Sequence, residues 1–332
     1  MQETTKTSDQ VPFISGPEDE VSVLDAAANP GLQATPIQQD RPLYGIFLII
    51  AASAMIAGAD GVTKFLARSL PVNETAWFRF VTTVAVVLIV MAATTGFRSG
   101  LRTARPGLQI TRGLVQVFST LGFLFALSAA PIVDVTATVF SAPLMVTALS
   151  IVMLREPVGM RRWLAAIIGL IGVLIMIRPG SSGFNAALLW AVLGAFLYAL
   201  VMIITRQLSV NENSTTTMAY SSIVAFVVLT IMLPFIWVTP TIVQAAICLF
   251  LGLLYAAAHW LIIIAFRYAD ASVLAPFSYF QLVSVAVIGV IIYGEVPDGW
   301  SVAGIVIIVA SGLYTAQHER SRRVTLQHEA KA

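Results

Sequence analysis

Long apolar runs, separated by short polar turns, dominate the chain from residue 43 onward. A membrane-spanning helix needs about 20 predominantly apolar residues, and ten segments approach or reach that length. The turns between them contain proline, glycine and asparagine, which are typical of tight connections. The pattern predicts an all-α polytopic membrane protein with ten transmembrane helices, at residues 43–65, 75–95, 108–130, 132–154, 163–177, 186–205, 218–238, 242–266, 272–293 and 300–316.

The composition supports a membrane protein. Of the 332 residues, 58% are hydrophobic and 11% are charged, whereas soluble domains carry roughly 25% charged residues. The mean hydropathy is +0.87. These values exclude soluble, disordered and collagen-like chains, and a single cysteine, Cys248, excludes a disulfide framework. A membrane β-barrel would alternate apolar and polar residues, so we expect helices.

Lysine and arginine predict the orientation, because they favour the cytoplasmic side of the membrane. With a cytoplasmic N-terminus, fifteen of the nineteen basic residues fall inside, Lys64, Arg68 and Arg178 fall outside, and Arg79 lies within a span. We therefore expect both termini in the cytoplasm and the chain in the inner membrane. Residues 1–40 are acidic and lack apolar periodicity, which predicts a disordered cytoplasmic tail, and residues 319–332 are expected to form the cytoplasmic C-terminal tail.

The two halves of the apolar region have matching layouts, and one constant offset in numbering relates them. We call this constant difference in residue number the repeat offset. Glu156 and Glu295 are equivalent by this offset, and each comes just before a span rich in small residues. We interpret both as structural carboxylates that meet the N-terminus of the next helix. Because each half contains five spans, the second must run in the opposite direction to the first. Inverted repeats are typical of secondary transporters, which bind their solute near the membrane midplane.

Several short motifs carry a resemblance to a known family. The first half contains FALSAAP at 125–131, SAPL at 141–144, REPVG at 155–159 and IRPG at 177–180. The second half contains AFRYADAS at 265–272, APFSY at 275–279 and GEVPDGW at 294–300. The chain resembles EamA-type members of the drug/metabolite transporter superfamily, with one repeat at 41–180 (helices 1–5) and another at 181–318 (helices 6–10).

The resemblance implies a fold and a function. Members have ten helices, cytoplasmic termini and a central cavity built mainly from the first four helices of each half. They move amino acids, amines, riboflavin, S-adenosylmethionine, nucleotide-related compounds or drugs. We therefore expect a secondary active transporter without a cofactor, whose partners are a small organic solute and the lipid bilayer rather than nucleic acid. The resemblance leaves open whether it is a monomer or a homodimer.

Ionisable residues inside spans are costly and usually face a cavity, so each is a candidate site residue. Arg79 is expected to hold a carboxylate or phosphate, with Trp77 stacking on a ring of the solute; alternatively Arg79 reaches the headgroups or pairs with Asp60. Asp60 and Lys64 are four residues apart, which favours a structural pair over a proton-carrying Asp60. His259 is the only histidine within the predicted spans and is expected to bind solute or carry a proton; alternatively it bonds a neighbouring helix.

Uncharged polar side chains complete the candidate solute site. Tyr255 lies one turn from His259 on the same face of the eighth predicted span. Amides and phenols recognise polar groups on small molecules, although they also join helices to one another. The predicted solute-binding set therefore consists of Trp77, Arg79, Gln116, Tyr198, Tyr255, His259, Tyr279 and Gln281, with Asp60 and His259 as candidates for proton coupling.

Other classes of protein lack support. The chain has no GxxxxGK[ST] loop for ATP and no HExxH, CxxC or GxSxG motif. One cysteine and one membrane histidine argue against a metal site. Asp60, Arg79 and His259 are expected on three helices at different depths, which argues against an enzyme. The alternative that remains is a non-transporting sensor or scaffold built on the same duplicated bundle.

Overall fold

A computed structural model describes residues 41–94, 96–154, 160–208, 212–266, 268–269 and 271–329. Within these ranges the chain is helical and forms no β-strand. Eight of the helices are long and apolar enough to cross a membrane, and two shorter apolar helices, Trp163–Ile177 and Gly299–Thr315, correspond to the fifth and tenth predicted spans. The prediction of a ten-helix membrane protein is confirmed.

Ten elements, named α1 to α10, follow one another with short connections. A four-residue helix, Phe97–Gly100, lies between α2 and α3. The elements are α1 (Pro42–Leu66), α2 (Val72–Thr94), α3 (Pro106–Ala129), α4 (Ile132–Val139 and Ala142–Leu154), α5 (Met160–Ile177), α6 (Ala187–Leu208), α7 (Ser214–Met232, continued by the 3₁₀ turn Leu233–Phe235), α8 (Ile242–Ala265), α9 (Ala271–Ser278, Phe280–Ile288 and the π-helical Gly289–Tyr293) and α10 (Gly299–Glu329).

Local sequence signals explain where several helices begin. α1 and α3 each start at a proline, Pro42 and Pro106, whose missing N–H would be unpaired at that position anyway. α8 starts with a capping box in which Thr241 and Gln244 satisfy each other's backbone N–H groups. α10 extends to Glu329, well beyond the predicted end of the tenth span at residue 316.

Two spans that the apolar pattern predicts as continuous are interrupted. α4 breaks at Phe140 and Ser141, just before Pro143. Proline cannot donate to the carbonyl four residues earlier, and its ring clashes with that carbonyl, so the helix restarts at Ala142. α9 breaks at Tyr279, three residues after Pro276. Both breaks therefore lie within three residues of a proline inside an apolar run.

The helices pack in equivalent pairs. α1 packs against α8 and α9, and its counterpart α6 packs against α3 and α4. α2 packs against α8, and its counterpart α7 packs against α3. Three further pairs each join a helix to its own counterpart in the other repeat: α2 with α7, α4 with α9, and α5 with α10. The contacts therefore define an α1/α8 bundle (α1, α2, α8 and α9) and an α3/α6 bundle (α3, α4, α6 and α7). Each bundle takes two helices from each repeat, and the repeat relationship exchanges the two bundles.

Two glycines at the same repeat position show how closely the counterparts match. Gly113 on α3 and Gly252 on α8 are related by the repeat offset that also relates Glu156 to Glu295. A Cβ on Gly113 would lie 2.7 Å from the Cβ of Val224 on α7, and a Cβ on Gly252 would overlap the Oγ1 of Thr82 on α2. Since real Cβ atoms essentially never come that close to another atom, only glycine fits at either crossing.

Some sequence predictions fall outside the described residues. They are the disordered tail at residues 1–40, the REPVG motif with Glu156, the end of the chain after Glu329, and the positions of Arg267 and Asp270 within the AFRYADAS motif.

Candidate functional site

A buried carboxylate occupies the interface of α1, α8 and α9. The Asp60 side chain is only 1% exposed. Its Oδ1 accepts a short hydrogen bond from the hydroxyl of Tyr255 on α8, and its Oδ2 accepts one from the amide of Gln281 on α9, at 3.2 Å. Both oxygens are therefore bound by uncharged donors.

The positive charge opposite this carboxylate comes from α2. The guanidinium carbon of Arg79 lies 3.6 Å from the ring centroid of Tyr255, in a cation–π contact. Arg79 is also close enough to Asp60 for a favourable charge interaction. The guanidinium thus faces the Tyr255 ring instead of extending to the headgroups, and Tyr255 contacts both charged groups.

His259 lies one turn further along α8. Its Nδ1 is 2.8 Å from the backbone carbonyl of Tyr255, so Nδ1–H donates and a neutral ring presents Nε2 as an acceptor. The side chain is exposed, in contrast to Asp60. Five predicted residues (Asp60, Arg79, Tyr255, His259 and Gln281) thus form one set, which we name the Asp60 cluster.

The expectation that Asp60, Arg79 and His259 lie at different depths is wrong. A hydrogen bond of 3.1 Å from Gln244 to Ser69 places these two residues at one level. Asp60 on α1 and Arg79 on α2 both contact Tyr255 on α8, and His259 is one turn from Tyr255 on the same helix. The three side chains are therefore brought together by the packing of α1, α2 and α8. The prediction counted positions from the helix ends, whereas the relative depth of the residues depends on how the helices pack against one another.

Trp77 has a different set of contacts. Its indole N–H donates to the hydroxyl of Thr230 on α7 at 2.8 Å. Its ring packs against Phe78, Phe226 and Trp237, with centroids 5.0, 6.0 and 6.3 Å away. These contacts join α2 to α7 and to Trp237, which follows α7.

Gln116 and Tyr198 lie in the α3/α6 bundle, near a cation that the sequence analysis did not select. Arg112 on α3 donates to Thr205 on α6, at 2.7 Å, and makes a short hydrogen bond to Ser221 on α7. Tyr198 interacts electrostatically with Arg112, whereas the Gln116 amide is 3.5 Å from the hydroxyl of Thr120 on its own helix. The Ser/Thr residues facing Arg112 were the signal that sequence reasoning missed.

Tyr279 lies at the break in α9 and faces the other bundle. Its ring packs against Phe140 at the break in α4, with centroids 5.1 Å apart. Its hydroxyl reaches α10, where it occupies the space that a Cβ on Gly312 would take. The structure therefore places Tyr279 between α4 and α10.

Lys64 does not pair with Asp60 as its spacing predicts. Its Nζ lies 2.6 Å from Oε1 of Glu295, in the connection between α9 and α10, and donates to the carbonyl oxygen of Ala130 at 2.5 Å. The other carboxylate oxygen of Glu295 accepts from the backbone N–H of Ile132 at 3.0 Å. Glu295 thus meets a helix N-terminus, but that of α4 and not that of the following helix α10.

A second ion pair also includes a residue of the connection between α9 and α10. Arg178, after α5, pairs with Asp298, before α10. The hydrogen bond from the Arg178 guanidinium lowers the pKa of the Asp298 carboxyl to about 2. Asp298 also accepts from the backbone N–H of Ser301 at 2.9 Å and caps α10. Among the described residues, no group of three or more His, Cys, Asp or Glu side chains could hold a metal ion.

Comparison with known proteins identifies the family. The sequence model of the EamA-like transporter family matches this chain twice, at residues 43–178 and 185–316. The chain belongs to the EamA-like transporter family. Two matches of about equal length agree with the two sets of equivalent helix pairs described above.

Relatives of this EamA-like transporter carry the names of small-metabolite transporters. An S-adenosylmethionine uptake transporter of Rickettsia bellii is 32% identical over 276 residues, which cover 83% of this chain and 94% of the relative. A riboflavin transporter of Vibrio cholerae is 30% identical over 296 residues, covering 85% and 97%. These relatives support a small-metabolite transporter and do not favour a sensor or scaffold.

A solved crystal structure supports the fold. It is 17% identical to this EamA-like transporter and aligns with 85% of this chain and 99% of its own, with a TM-score of 0.59. At this identity the match shows a shared fold alone.

Proposed function

We propose that this EamA-like transporter carries S-adenosylmethionine, or a zwitterionic metabolite of similar chemistry, across the inner membrane by alternating access, with the Asp60 cluster as its binding site. The proposal is carried by one observation. Asp60 and Arg79 contact the same Tyr255 side chain within the apolar helices, where isolated charges are costly. Opposite charges in that setting suit a solute that carries both signs itself.

The chemistry of the cluster fits an amino-acid group. The planar guanidinium of Arg79 can bind a carboxylate through two parallel hydrogen bonds. The carboxylate of Asp60 can accept from an ammonium group, which would replace the hydrogen bond from Tyr255 or Gln281. The face of the Tyr255 ring, which holds the Arg79 guanidinium in this conformation, would hold a cationic centre such as a sulfonium once Arg79 turns to the carboxylate. Together these groups match the carboxylate, ammonium and sulfonium of S-adenosylmethionine.

His259 completes the proposed site from its exposed position next to Tyr255. We assign His259 one of two roles: it contacts the remainder of the solute, or it binds a proton that moves in the transport cycle. Asp60 is the second candidate for proton coupling, because protonation would release Tyr255 and Gln281 as donors. Trp77, Gln116, Tyr198 and Tyr279, the other predicted binding residues, would contact the solute only after the helices rearrange.

A riboflavin-like solute is the second candidate, because a relative of similar identity bears that name. The isoalloxazine ring of riboflavin is uncharged and has no ammonium group for Asp60. The two candidates therefore differ in how far they depend on the charge at position 60. Asp60→Asn should abolish transport of S-adenosylmethionine and have much less effect on transport of riboflavin.

The test is uptake of radiolabelled S-adenosylmethionine by liposomes containing the purified protein. We expect saturable uptake that unlabelled S-adenosylmethionine inhibits and riboflavin does not. Asp60→Asn and Arg79→Gln should each reduce uptake to the level of empty liposomes, whereas Arg178→Gln, which changes a charge outside the cluster, should not. Failure to bind or transport S-adenosylmethionine, or wild-type uptake by both cluster variants, would overturn the proposal.

The same preparation tests the coupling and the orientation. An imposed proton gradient should change the rate of uptake by the wild type, if Asp60 or His259 moves a proton, and should have no effect on His259→Ala if His259 is that group. For the orientation, alkaline phosphatase fused to the C-terminus should be inactive in cells, because this enzyme requires export to fold. An active fusion would place the C-terminus outside.

A further inference from the structure

A compact set of polar contacts joins the two bundles near the end of α1. Lys64, in the last turn of α1, binds Glu295 from the α9–α10 connection and the carbonyl oxygen of Ala130 from the α3–α4 turn. Glu295 accepts from the N–H of Ile132, the first residue of α4. Lys64 and Glu295 belong to the α1/α8 bundle, whereas Ala130 and Ile132 belong to the α3/α6 bundle. Each of the two charged side chains therefore bonds across the seam.

The packing around these contacts is close. The Lys64 side chain is only 8% exposed, and Ile132 is fully buried. A Cβ on Gly289 of α9 would lie 3.2 Å from the Cγ2 of Ile132, so the two helices touch just below the ion pair. Tyr293 donates to the carbonyl oxygen of Gly61 at 2.6 Å and ties the end of α9 to α1.

The contacts lie directly beyond the Asp60 cluster. Asp60 and Lys64 are one turn apart on the same face of α1, about 6 Å along its axis. Gln281, which binds Asp60, is on α9, the helix that leads to Glu295. The helices that hold the cluster are thus the helices that carry the two charged partners of the seam. A movement of α1 or α9 on solute binding would act on both.

We infer that Lys64, Glu295, Ala130 and Ile132 form a gate, the Lys64 gate, which closes one end of the solute pathway in this conformation and must separate in each transport cycle. The assignment of a pathway through the Asp60 cluster rests on the proposed function. With Lys64 and Arg178 on the outer side, as the distribution of basic residues predicts, the Lys64 gate faces away from the cytoplasm.

The charges suit a contact that forms and breaks. A buried lysine and glutamate compensate each other's loss of water when the seam is closed. When the bundles separate, water can solvate both groups, so the open state also stabilises them. An apolar seam of the same size would favour only the closed state, because opening it would expose apolar surface to water. The pair therefore favours the closed state less strongly than an apolar seam would.

The first experiment locks the gate without removing its charges. Cys248→Ala serves as the parent, because Cys248 is the only native cysteine. Ile132→Cys and Gly289→Cys are then combined, since the 3.2 Å between a Cβ at 289 and the Cγ2 of Ile132 suits a disulfide. We expect uptake of S-adenosylmethionine to fall to the level of empty liposomes on oxidation and to recover on reduction. An oxidised protein that transports like its reduced form overturns the gate.

A disulfide within one bundle provides the matched control. Gly45→Cys and Ala269→Cys join α1 to the α8–α9 connection, where a Cβ on Gly45 would lie 3.2 Å from the Cβ of Ala269. These positions move together if the α1/α8 bundle is a unit. Oxidation of this variant should leave uptake unchanged. Equal loss of uptake in both disulfide variants would show a general requirement for flexibility and would also overturn the gate.

The second experiment does not depend on the identity of the solute. Gln281→Cys, in the Cys248→Ala parent, places one thiol in the Asp60 cluster. A membrane-impermeant maleimide is applied to intact cells and, separately, to inside-out vesicles. Adding Glu295→Gln should increase labelling from the gate's side of the membrane, because an open seam exposes the thiol there. Unchanged labelling from both sides would contradict the gate even if S-adenosylmethionine proves not to be the solute.

Discussion

Phe140 and Tyr279, which are equivalent in the two repeats, pack against each other with their ring centroids 5.1 Å apart. Each residue lies where its own helix is broken, Phe140 in α4 and Tyr279 in α9. In an inverted repeat, a residue can contact its own equivalent only close to the axis that relates the two halves. The contact therefore marks that axis, where the two broken helices face each other across the seam between the bundles.

The hydroxyl of Tyr279 makes the packing of α10 sensitive to one methyl group. A Cβ on Gly312 would overlap that hydroxyl oxygen, whereas it would lie 3.2 Å from the Cζ of Tyr279. Gly312→Ala should lower the free energy of unfolding by about 1–3 kcal/mol, the usual cost of overpacking. Adding Tyr279→Phe should recover most of this loss, because it removes the atom in closest contact. Thermal unfolding of the purified variants measures both effects, and a double variant no more stable than Gly312→Ala would show that the clash lies elsewhere.

The crossing of α3 and α7 offers a test of the repeat geometry. Gly113→Ala places a Cβ 2.7 Å from the Cβ of Val224, an atom that can move only with the backbone. We expect a loss of about 1–3 kcal/mol in the free energy of unfolding. Gly58→Ala is the control, since a Cβ there has no neighbour within 4 Å, and alanine in a helix is more favourable than glycine by about 0.5–1 kcal/mol. A Gly113→Ala variant as stable as Gly58→Ala would contradict the close crossing.

The sequence predicts the fold well because a span is a local property. An apolar run of sufficient length must be a helix in the membrane, since its backbone groups have no other partner. A proline inside a span predicts an interruption but not the residue at which the helix breaks. The sequence therefore does not predict that the breaks lie at Phe140 and Tyr279. Helix composition alone therefore predicts ten spans, but it does not predict that the broken helices α4 and α9 meet at the repeat axis.

The candidate site was predicted only in part. Asp60, Arg79, Tyr255 and Gln281 could be selected individually, because polar groups within spans are rare. Their meeting depends on four helices packing at one level, which no single helix encodes. Lys64 shows the limit most clearly: its nearest acid in sequence is Asp60, yet its partner Glu295 belongs to the other repeat, near the far end of the chain.

The Arg178–Asp298 pair leads to a prediction about pH. The pKa of Asp298 is lowered to about 2 by Arg178, so the carboxylate stabilises the folded state above its unfolded pKa of about 3.9 and loses that effect as the pH falls through about 2. Half of the Asp298 side chain is exposed, so the pair should contribute no more than about 1 kcal/mol. The difference in melting temperature between wild type and Asp298→Asn should therefore be small and constant from pH 5 to pH 8. A difference that changes within this range would require another titrating partner.

The hydrogen bond between Tyr255 and Asp60 leads to the last prediction. Tyr255→Phe leaves the Oδ1 of a buried carboxylate without its donor, which should cost about 1–3 kcal/mol in the free energy of unfolding. Asp60→Asn removes the charge of this side chain, so the missing hydrogen bond should lower the free energy of unfolding by less. The effect of Tyr255→Phe should thus be smaller in the Asp60→Asn background, with a coupling of about 0.5–3 kcal/mol between the two positions. Unfolding of the wild type, both single variants and the double variant gives this coupling directly. Trp77→Phe, which removes the bond to Thr230 outside the cluster, should add to Asp60→Asn without coupling. If Tyr255→Phe also proves additive, the two side chains do not interact in the folded protein.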